Sequence, residues 1–149
     1  MSQESDVLTA AHLRYIADHT RKEGPFLAEL KKSADAADLP AIAIAPEQAS
    51  FMQILLRGAG VRRVVEVGTL GGYSAISMAR ALPEDGHVDT IEINPEHAAF
   101  ARARIAESDV AGRIEVHLGS GLDVLPTFAD GSADAAFLDA DKVNYAHYL

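Results

Sequence analysis

Residues 64–74 read Val-Val-Glu-Val-Gly-Thr-Leu-Gly-Gly-Tyr-Ser, and the predicted architecture of the whole chain starts from them. A short apolar run rich in β-branched residues stops at a glycine-rich turn, and a helical pattern begins directly after the turn. This order predicts a strand, a tight loop and a helix whose first backbone amides lie beside the carboxyl end of the strand. Small ligands bind at that place in α/β proteins.

Strands and helices alternate over the rest of the chain. We predict strands at residues 63–67, 87–93, 113–118 and 135–138, and helices at about 73–82, from 95 to before 112, and from about 121 to 125. Connections of this length imply parallel strands joined by right-handed crossovers, with helices on both faces of the sheet. The predicted fold class is therefore α/β, with a doubly wound, Rossmann-like parallel sheet.

Residues 1–58 are predicted to form a helical cap before the sheet. The cap would contain helices at about 7–20, 26–32 and 46–58, an exposed connection at 33–39 and an extended segment at 41–45. We expect one domain, residues 1–149, in which residues 59–149 form the first half of the sheet. Because the chain stops soon after the fourth strand, where such a sheet usually continues, we expect a truncated protein with that strand at its edge.

The composition limits the classes of partner. The chain has 13 basic and 22 acidic side chains, a formal charge of −9, which disfavours nucleic acid and anionic membranes. It has no cysteine, so a bound metal would need oxygen or imidazole ligands. Because no apolar run approaches the ~18 residues of a membrane-spanning helix and the N-terminus has no signal-peptide pattern, we expect a cytoplasmic protein.

Polar groups stand at the ends of three predicted strands. The Gly68 loop follows the first strand, Glu92 lies at the end of the second, and Asp139 ends the fourth. Since the carboxyl ends of parallel strands meet at one edge of a sheet, these groups are expected to converge. Glu92 follows Gly68 by 24 residues, close to the spacing at which nucleotide-binding folds place an acid on a ribose. The pattern predicts a pocket for a nucleoside cofactor.

The glycine loop itself has two interpretations, a ligand cradle or a plain tight turn. A dinucleotide fingerprint would place glycine at positions 68, 70 and 73, but Leu70 and Tyr73 occupy two of these positions. This departure disfavours a pyrophosphate on the loop and permits a smaller ligand with a carboxylate or ammonium end. We favour the ligand cradle because a strand precedes the loop and a helix follows it.

Two other positions also have alternatives. Glu66 could lean out to water, or it could accept a hydrogen bond from a cationic amine or a loop amide. We favour the acceptor because an unpaired carboxylate is costly in an apolar strand. The Gly119-Ser120-Gly121 segment could contact the edge of an adenine or form an ordinary strand-to-helix turn, and the residues do not decide between these.

The segment Asp139-Ala140-Asp141-Lys142 brings two acids and a lysine to the carboxyl edge of the sheet. Mg²⁺ takes oxygen ligands and usually keeps several waters, so one or two carboxylates can bind it. The alternative is a helix-capping aspartate with solvated neighbours. The six histidines, at positions 12, 19, 87, 97, 117 and 147, show no metal-ligand spacing and are predicted to be structural or exposed.

The span from about Ile44 to Leu149 resembles the cation-dependent O-methyltransferases that use S-adenosylmethionine (SAM), the group with catechol and caffeoyl-coenzyme A O-methyltransferases. Three motifs carry the resemblance: residues 66–74, the Thr90-Ile-Glu-Ile-Asn-Pro95 segment, and residues 138–142 with Asn144-Tyr145. The resemblance implies a class I methyltransferase fold, SAM and a divalent cation such as Mg²⁺ as cofactors, and an aromatic acceptor with vicinal hydroxyls. It also implies a homodimer.

The resemblance further implies the roles of individual residues. Asp139 would bind both the cofactor and the divalent cation, and Lys142 matches the lysine proposed as the general base. In this family two further metal ligands follow the next strand, so the chain as given is expected to be inactive alone. The residues implied to bind the cofactor are Ile44, Glu66, Gly68, Thr69, Gly72, Ser74, Glu92, Ser120, Gly121 and Asp139.

Three alternatives to this function remain. A nicotinamide-dependent oxidoreductase is disfavoured by Leu70 and Tyr73 in the glycine loop. A non-catalytic module could bind the cofactor or assemble through its N-terminal helices. A methyltransferase acting on tRNA is disfavoured by the charge of −9.

Overall fold

The computed structural model describes residues 8–148. Three helices come first: α1 (Ala10–His19), α2 (Pro25–Ala36) and α3 (Pro46–Gly58). The strands and helices then alternate as β1 (Arg63–Val67), α4 (Tyr73–Ala79), β2 (His87–Glu92), α5 (Pro95–Ala106), β3 (Ile114–Leu118), α6 (Gly121–Val124), β4 (Ala135–Leu138) and α7 (Tyr145–Tyr148), with single 3₁₀ turns at Ala111–Arg113, Leu125–Thr127 and Lys142–Asn144.

The four strands form one parallel sheet in the order β3-β2-β1-β4. The larger core lies on one face, where residues such as Val64 and Val88 pack with α4, α5 and the buried leucines of α2 and α3. The other face carries Val65, Val67 and Ile91, which contact the region around α6. Helices on both faces confirm the doubly wound α/β fold. Within residues 8–148, β4 lies at one edge, as expected.

The predicted cap needs two corrections. Helix α2 continues to Ala36, although residues 33–39 were expected to be a connection, because this alanine-rich stretch contains neither proline nor glycine. Two residues after the helix, Asp38 has a left-handed φ of 55°, which prevents its continuation. Helix α1 begins at Ala10 after the Thr9 cap, and Val7, the predicted first residue, lies outside the described residues.

Other element boundaries differ by one to three residues. Helix α4 ends at Ala79 instead of residue 82, where the Ala81 amide donates to the Met78 carbonyl and Pro83 follows. Strand β2 ends at Glu92, one residue earlier than predicted, and β3 begins at Ile114 rather than Arg113. The strand ends that position the predicted site are therefore where the sequence indicates.

Candidate functional site

A cavity of about 720 Å³ opens at the carboxyl edge of the sheet. Its wall on the cap side includes residues 40–44, and its base consists of the segments that follow the four strands. Among the residues predicted to bind the cofactor, those that line the cavity are Ile44, Gly68, Thr69, Ser74, Glu92, Ser120, Gly121 and Asp139. Glu66, Gly72 and Lys142 are not among the lining residues.

Backbone hydrogen bonds hold the strand ends together just below the cavity. The Gly68 amide donates to the Ile91 carbonyl, and the Asp139 amide donates to the Val67 carbonyl, both at 2.9 Å. The Gly119 amide donates to the Glu92 carbonyl at 2.9 Å. The sheet hydrogen bonds thus extend to the first residue of the loops after β1, β3 and β4, so these three loops start from one level.

Gly68 is required by both its conformation and its surroundings. Its φ is +105°, and a Cβ atom at this position would lie 2.7 Å from the carbonyl oxygen of Asp139. An L side chain therefore fits neither the torsion nor the space. The contact brings the loop after β1 directly against the end of β4.

Glu92 fixes the glycine loop from the neighbouring strand. Its Oε2 atom accepts a hydrogen bond from the Leu70 amide at 2.8 Å, and its Oε1 atom accepts one from the Asn94 amide at 2.9 Å. Leu70 has a left-handed φ of 49°, which is unfavourable for leucine. The loop amide that Glu66 was predicted to bind is thus held by Glu92.

Glu66 is completely buried under the cavity. Its Oε2 atom accepts a hydrogen bond from the Thr90 hydroxyl at 2.5 Å, and the Thr69 hydroxyl lies 2.6 Å from that of Thr90. The alternative in which Glu66 leans out to water is therefore wrong. Its Oε1 atom has no hydrogen-bond partner within the described part of the chain.

The charge state of Glu66 depends on its burial. Loss of hydration raises its pKa to about 7, and the negative charges of Asp139 and Glu92 act in the same direction. The hydroxyls of Ser74 and Thr90 partly oppose this shift because they stabilise the carboxylate. The group can therefore gain or lose its proton near neutral pH.

The two acids after β4 differ in their surroundings. Asp141 accepts hydrogen bonds from the Asn144 side-chain amide at 2.6 Å and from the Tyr148 hydroxyl at 2.7 Å. Asp139 is exposed and has no such partners among residues 8–148, and burial of part of its carboxyl group raises its pKa. Lys142 is exposed in the following 3₁₀ turn, and its charge lowers the pKa of Asp139. Asp139 is thus the acid free to bind a ligand.

Two predicted residues also have local structural roles. Ser120 caps α6, since its hydroxyl accepts from the Asp123 amide at 3.2 Å and donates to the Asp123 carboxylate at 2.7 Å. Gly72 precedes α4 with a φ of 85°, and a Cβ atom there would lie 3.3 Å from the Ile105 side chain. Gly72 therefore allows α4 to approach α5, and its contact with a cofactor remains a prediction.

Apart from Ile44, the apolar part of the cavity wall was not predicted from the sequence. Ile42, Ile93 and Leu122 line the cavity, although these side chains are 71%, 70% and 41% exposed. Exposed apolar side chains around a concave site are typical of a surface that contacts a flat or apolar ligand group. The sequence could have indicated Ile93, because this apolar residue directly follows Glu92 at the end of a strand.

The fold and cavity define a class I methyltransferase-type α/β domain, and comparison with known proteins leads to the family. Residues 17–149 match the O-methyltransferase family model, so the chain belongs to the O-methyltransferase family. It is 44% identical over 127 residues to a catechol O-methyltransferase of Mycobacterium tuberculosis, a match that covers 85% of this chain and 58% of the relative. The chain thus spans less than two thirds of the length of this relative.

Solved structures show the same relationship. An O-methyltransferase from Bacillus cereus, in complex with S-adenosylhomocysteine (SAH), has a TM-score of 0.84 and 38% identity over 91% of this chain and 63% of its own. A Streptomyces achromogenes O-methyltransferase involved in tomaymycin synthesis, in complex with SAM, has a TM-score of 0.82 and 38% identity over 91% of this chain and 62% of its own.

Among residues 8–148, no helix is long and apolar enough to span a bilayer.

Proposed function

We propose that this chain contains the cofactor-binding half of a SAM-dependent O-methyltransferase that acts on a catechol-like small molecule with the help of a divalent cation. The observation that carries the proposal is the convergence of the glycine loop, Glu92 and Asp139 on one cavity. Two similar structures contain SAH or SAM, and one relative is named a catechol O-methyltransferase. The specific acceptor and the cation are part of the proposal.

Glu92 is suited to bind the ribose of the cofactor. Each of its carboxylate oxygens accepts one backbone hydrogen bond, from Leu70 or Asn94, and each retains further acceptor capacity. The two oxygens can therefore accept the vicinal hydroxyls of one ribose while they hold the loop. Because these backbone bonds fix the carboxylate before the ligand arrives, little additional ordering is needed on binding.

The amino-acid end of the cofactor would lie between Gly68, Ser74 and Asp139. A cationic ammonium group there would be favoured by the charge of Asp139 and, one layer below, by Glu66. The Oε1 atom of Glu66, which has no hydrogen-bond partner among residues 8–148, fits this arrangement because it is a buried acceptor on the strand that leads into the Gly68 loop. A bound cation would also favour the deprotonated form of Glu66.

The adenine would lie between the apolar and backbone groups of the remaining wall. Ile93 and Leu122 offer apolar surface, and the Ser120-Gly121 segment offers backbone polar groups. The Ser120 hydroxyl is engaged with Asp123, so the backbone is the part of this segment that is free for a ligand. Ile44 would close the cavity from the cap side.

Bound SAM would supply an electrophilic methyl group on a sulfonium. Asp139 is the residue that would hold a divalent cation, whose charge would stabilise the ionised form of an acceptor with two neighbouring hydroxyls. Among residues 8–148, Asp139 does not belong to a group of three candidate metal ligands, so the remaining ligands would have to come from outside these residues, from water or from the acceptor. Lys142 would act as the general base from the exposed turn beside Asp139.

Methyl transfer from SAM to catechol by the complete protein tests this proposal. For the wild type we expect turnover with MgCl₂ and loss of turnover in EDTA. For Asp139→Ala we expect turnover that no longer depends on Mg²⁺, with most of the SAH affinity retained. Glu96→Ala, an exposed acid on α5, is the matched control and should behave like the wild type. Full turnover in EDTA would contradict the cation assignment, and failure to bind SAH would contradict the whole proposal.

A further inference from the structure

A second group of ligand-type side chains lies on the sheet away from the cavity. His87 and Asp89 of β2 and Glu115 of β3 each place one donor atom so that these atoms all lie within 4.8 Å of one another. None of the three lines the cavity at the carboxyl edge. The group therefore does not belong to the site described above.

The regular geometry of two parallel strands creates this group. Residues two apart in a strand point to the same face, which places His87 beside Asp89. The register pairs Asp89 with Glu115 on the neighbouring strand. The spacings of the histidines along the chain do not reveal the group, because its members come from strands separated by α5. His87 was predicted to be structural or exposed, and the two nearby ligand-type groups on the sheet are the carboxylates of Asp89 and Glu115.

A fourth residue holds one of the three donors in place. His117 lies on the same face of β3, and its Nε2 atom is 2.9 Å from the Oδ1 atom of Asp89. The ring of Phe128 contacts His117 edge-on, with the centroids 5.3 Å apart. Metal-binding carboxylates in proteins commonly have a hydrogen-bond partner of this kind behind them.

The charges of the group favour a cation. Asp89 and Glu115 are directly paired across the two strands, an arrangement in which like charges repel. The Asp89 side chain is only 13% exposed, so solvent screens its charge poorly. In the described part of the chain, Glu115 has neither a hydrogen bond nor an ion pair from its side chain. A divalent cation would neutralise both carboxylates.

We propose that His87, Asp89 and Glu115 bind a divalent transition-metal ion of the Zn²⁺ type, with His117 positioning Asp89. One imidazole and two carboxylates suit zinc better than Mg²⁺, which prefers oxygen ligands alone. Ligand atoms around tetrahedral zinc lie about 3.4 Å apart at normal bond lengths, so modest side-chain rotations would bring these donors into place. The ion would connect β2 to the edge strand β3, and this proposal does not depend on the methyltransferase activity.

Calorimetric titration of the metal-free protein with ZnCl₂ tests the site. We expect a Zn²⁺ site that is retained in Asp139→Asn, with at least a tenfold loss of affinity at that site in Glu115→Gln and in His87→Gln. His117→Gln should weaken binding by about 10–100-fold, the range for a residue behind a ligand. The matched controls are Glu84→Gln, an exposed acid, and His12→Gln, an exposed histidine, and both should bind like the wild type.

Two further experiments separate this proposal from zinc binding elsewhere on the protein. One uses Co²⁺ as a second metal, and the other uses a substitution at Asp139, outside the group. Co²⁺ bound by this ligand set should give the visible absorption of a four-coordinate site in the wild type and in Asp139→Asn, but not in Glu115→Gln. Because Glu115 is exposed, its substitution leaves the core intact, which circular dichroism would verify. Absence of Zn²⁺ binding, unchanged affinity in Glu115→Gln, or loss of binding only in Asp139→Asn would each overturn the proposal.

Discussion

Glu66 is a buried carboxyl group whose protonation is linked to folding. Its pKa is raised from 4.5 to about 7, mainly by loss of hydration. The folded protein therefore binds a proton that the unfolded chain releases between these pH values. The resulting stabilisation is fully present below pH 4.5 and is lost as the pH rises through about 7.

We predict that Glu66→Gln removes this pH dependence. A shift of this size corresponds to an upper limit of roughly 3 kcal/mol in the free energy of unfolding between pH 5 and pH 8. Urea denaturation at both pH values measures it, with the exposed Glu84→Gln as the control. If the free energy of unfolding changes by the same amount between pH 5 and pH 8 in the wild type and in Glu66→Gln, the raised pKa of Glu66 is wrong.

Glu92 has a structural role in the glycine loop, and we propose that the same carboxylate binds the ribose of the cofactor. We predict that Glu92→Ala weakens SAH binding by about 1.5–3 kcal/mol, the range for hydrogen bonds to a charged group. The Leu70 amide would also lose its acceptor, which would loosen the strained loop. Calorimetry with SAH measures the change, and Glu96→Ala is the control. An unchanged dissociation constant would remove Glu92 from the ribose site.

At the scale of elements, the contact between the β1 loop and the end of β4 depends on Gly68. We predict that Gly68→Ala lowers the free energy of unfolding by at least about 2 kcal/mol, because the new Cβ atom would lie 2.7 Å from the Asp139 carbonyl oxygen. Gly58→Ala in α3 is the matched control. Its Cβ atom would meet nothing within 4 Å, so a change of no more than about 1 kcal/mol is expected. Equal effects of the two substitutions in urea denaturation would contradict this role of Gly68.

The sheet was predictable from sequence because its signals are local. Apolar β-branched runs, the glycine loop and the Asn94-Pro95 helix start fall where the strands and helices begin and end. The length of α2 was not predictable in this way. Its alanine-rich end has no strong stop signal, and the buried Leu27 and Leu30 that anchor the helix on the core act through tertiary contacts.

The strand-end residues that line the site were predictable from sequence, but the contacts between their side chains were not. Strand ends identify Glu92 and Asp139, since parallel strands bring their carboxyl ends together. That Glu92, rather than Glu66, binds the loop amide depends on side-chain directions that spacing does not contain. The grouping of His87 with Glu115 likewise depends on the register of β2 with β3.

At the scale of the molecule, the cap has an apolar surface of its own. Exposed large side chains occur on α1, at Leu13 and Tyr15, and on α3, at Phe51, Ile54 and Leu55. Exposed apolar surface of this extent is typical of a surface that contacts other protein. It is consistent with the predicted homodimer, which stays a prediction.

We propose that one cavity at the carboxyl edge of the sheet binds the nucleoside of SAM. Thermal unfolding of the protein with saturating SAH or NAD⁺ tests this most directly, because only a ligand that binds the folded state raises the melting temperature. We predict a rise with SAH that is largely lost in Glu92→Ala, and no rise with NAD⁺. Stabilisation by NAD⁺ and not by SAH would contradict the claim.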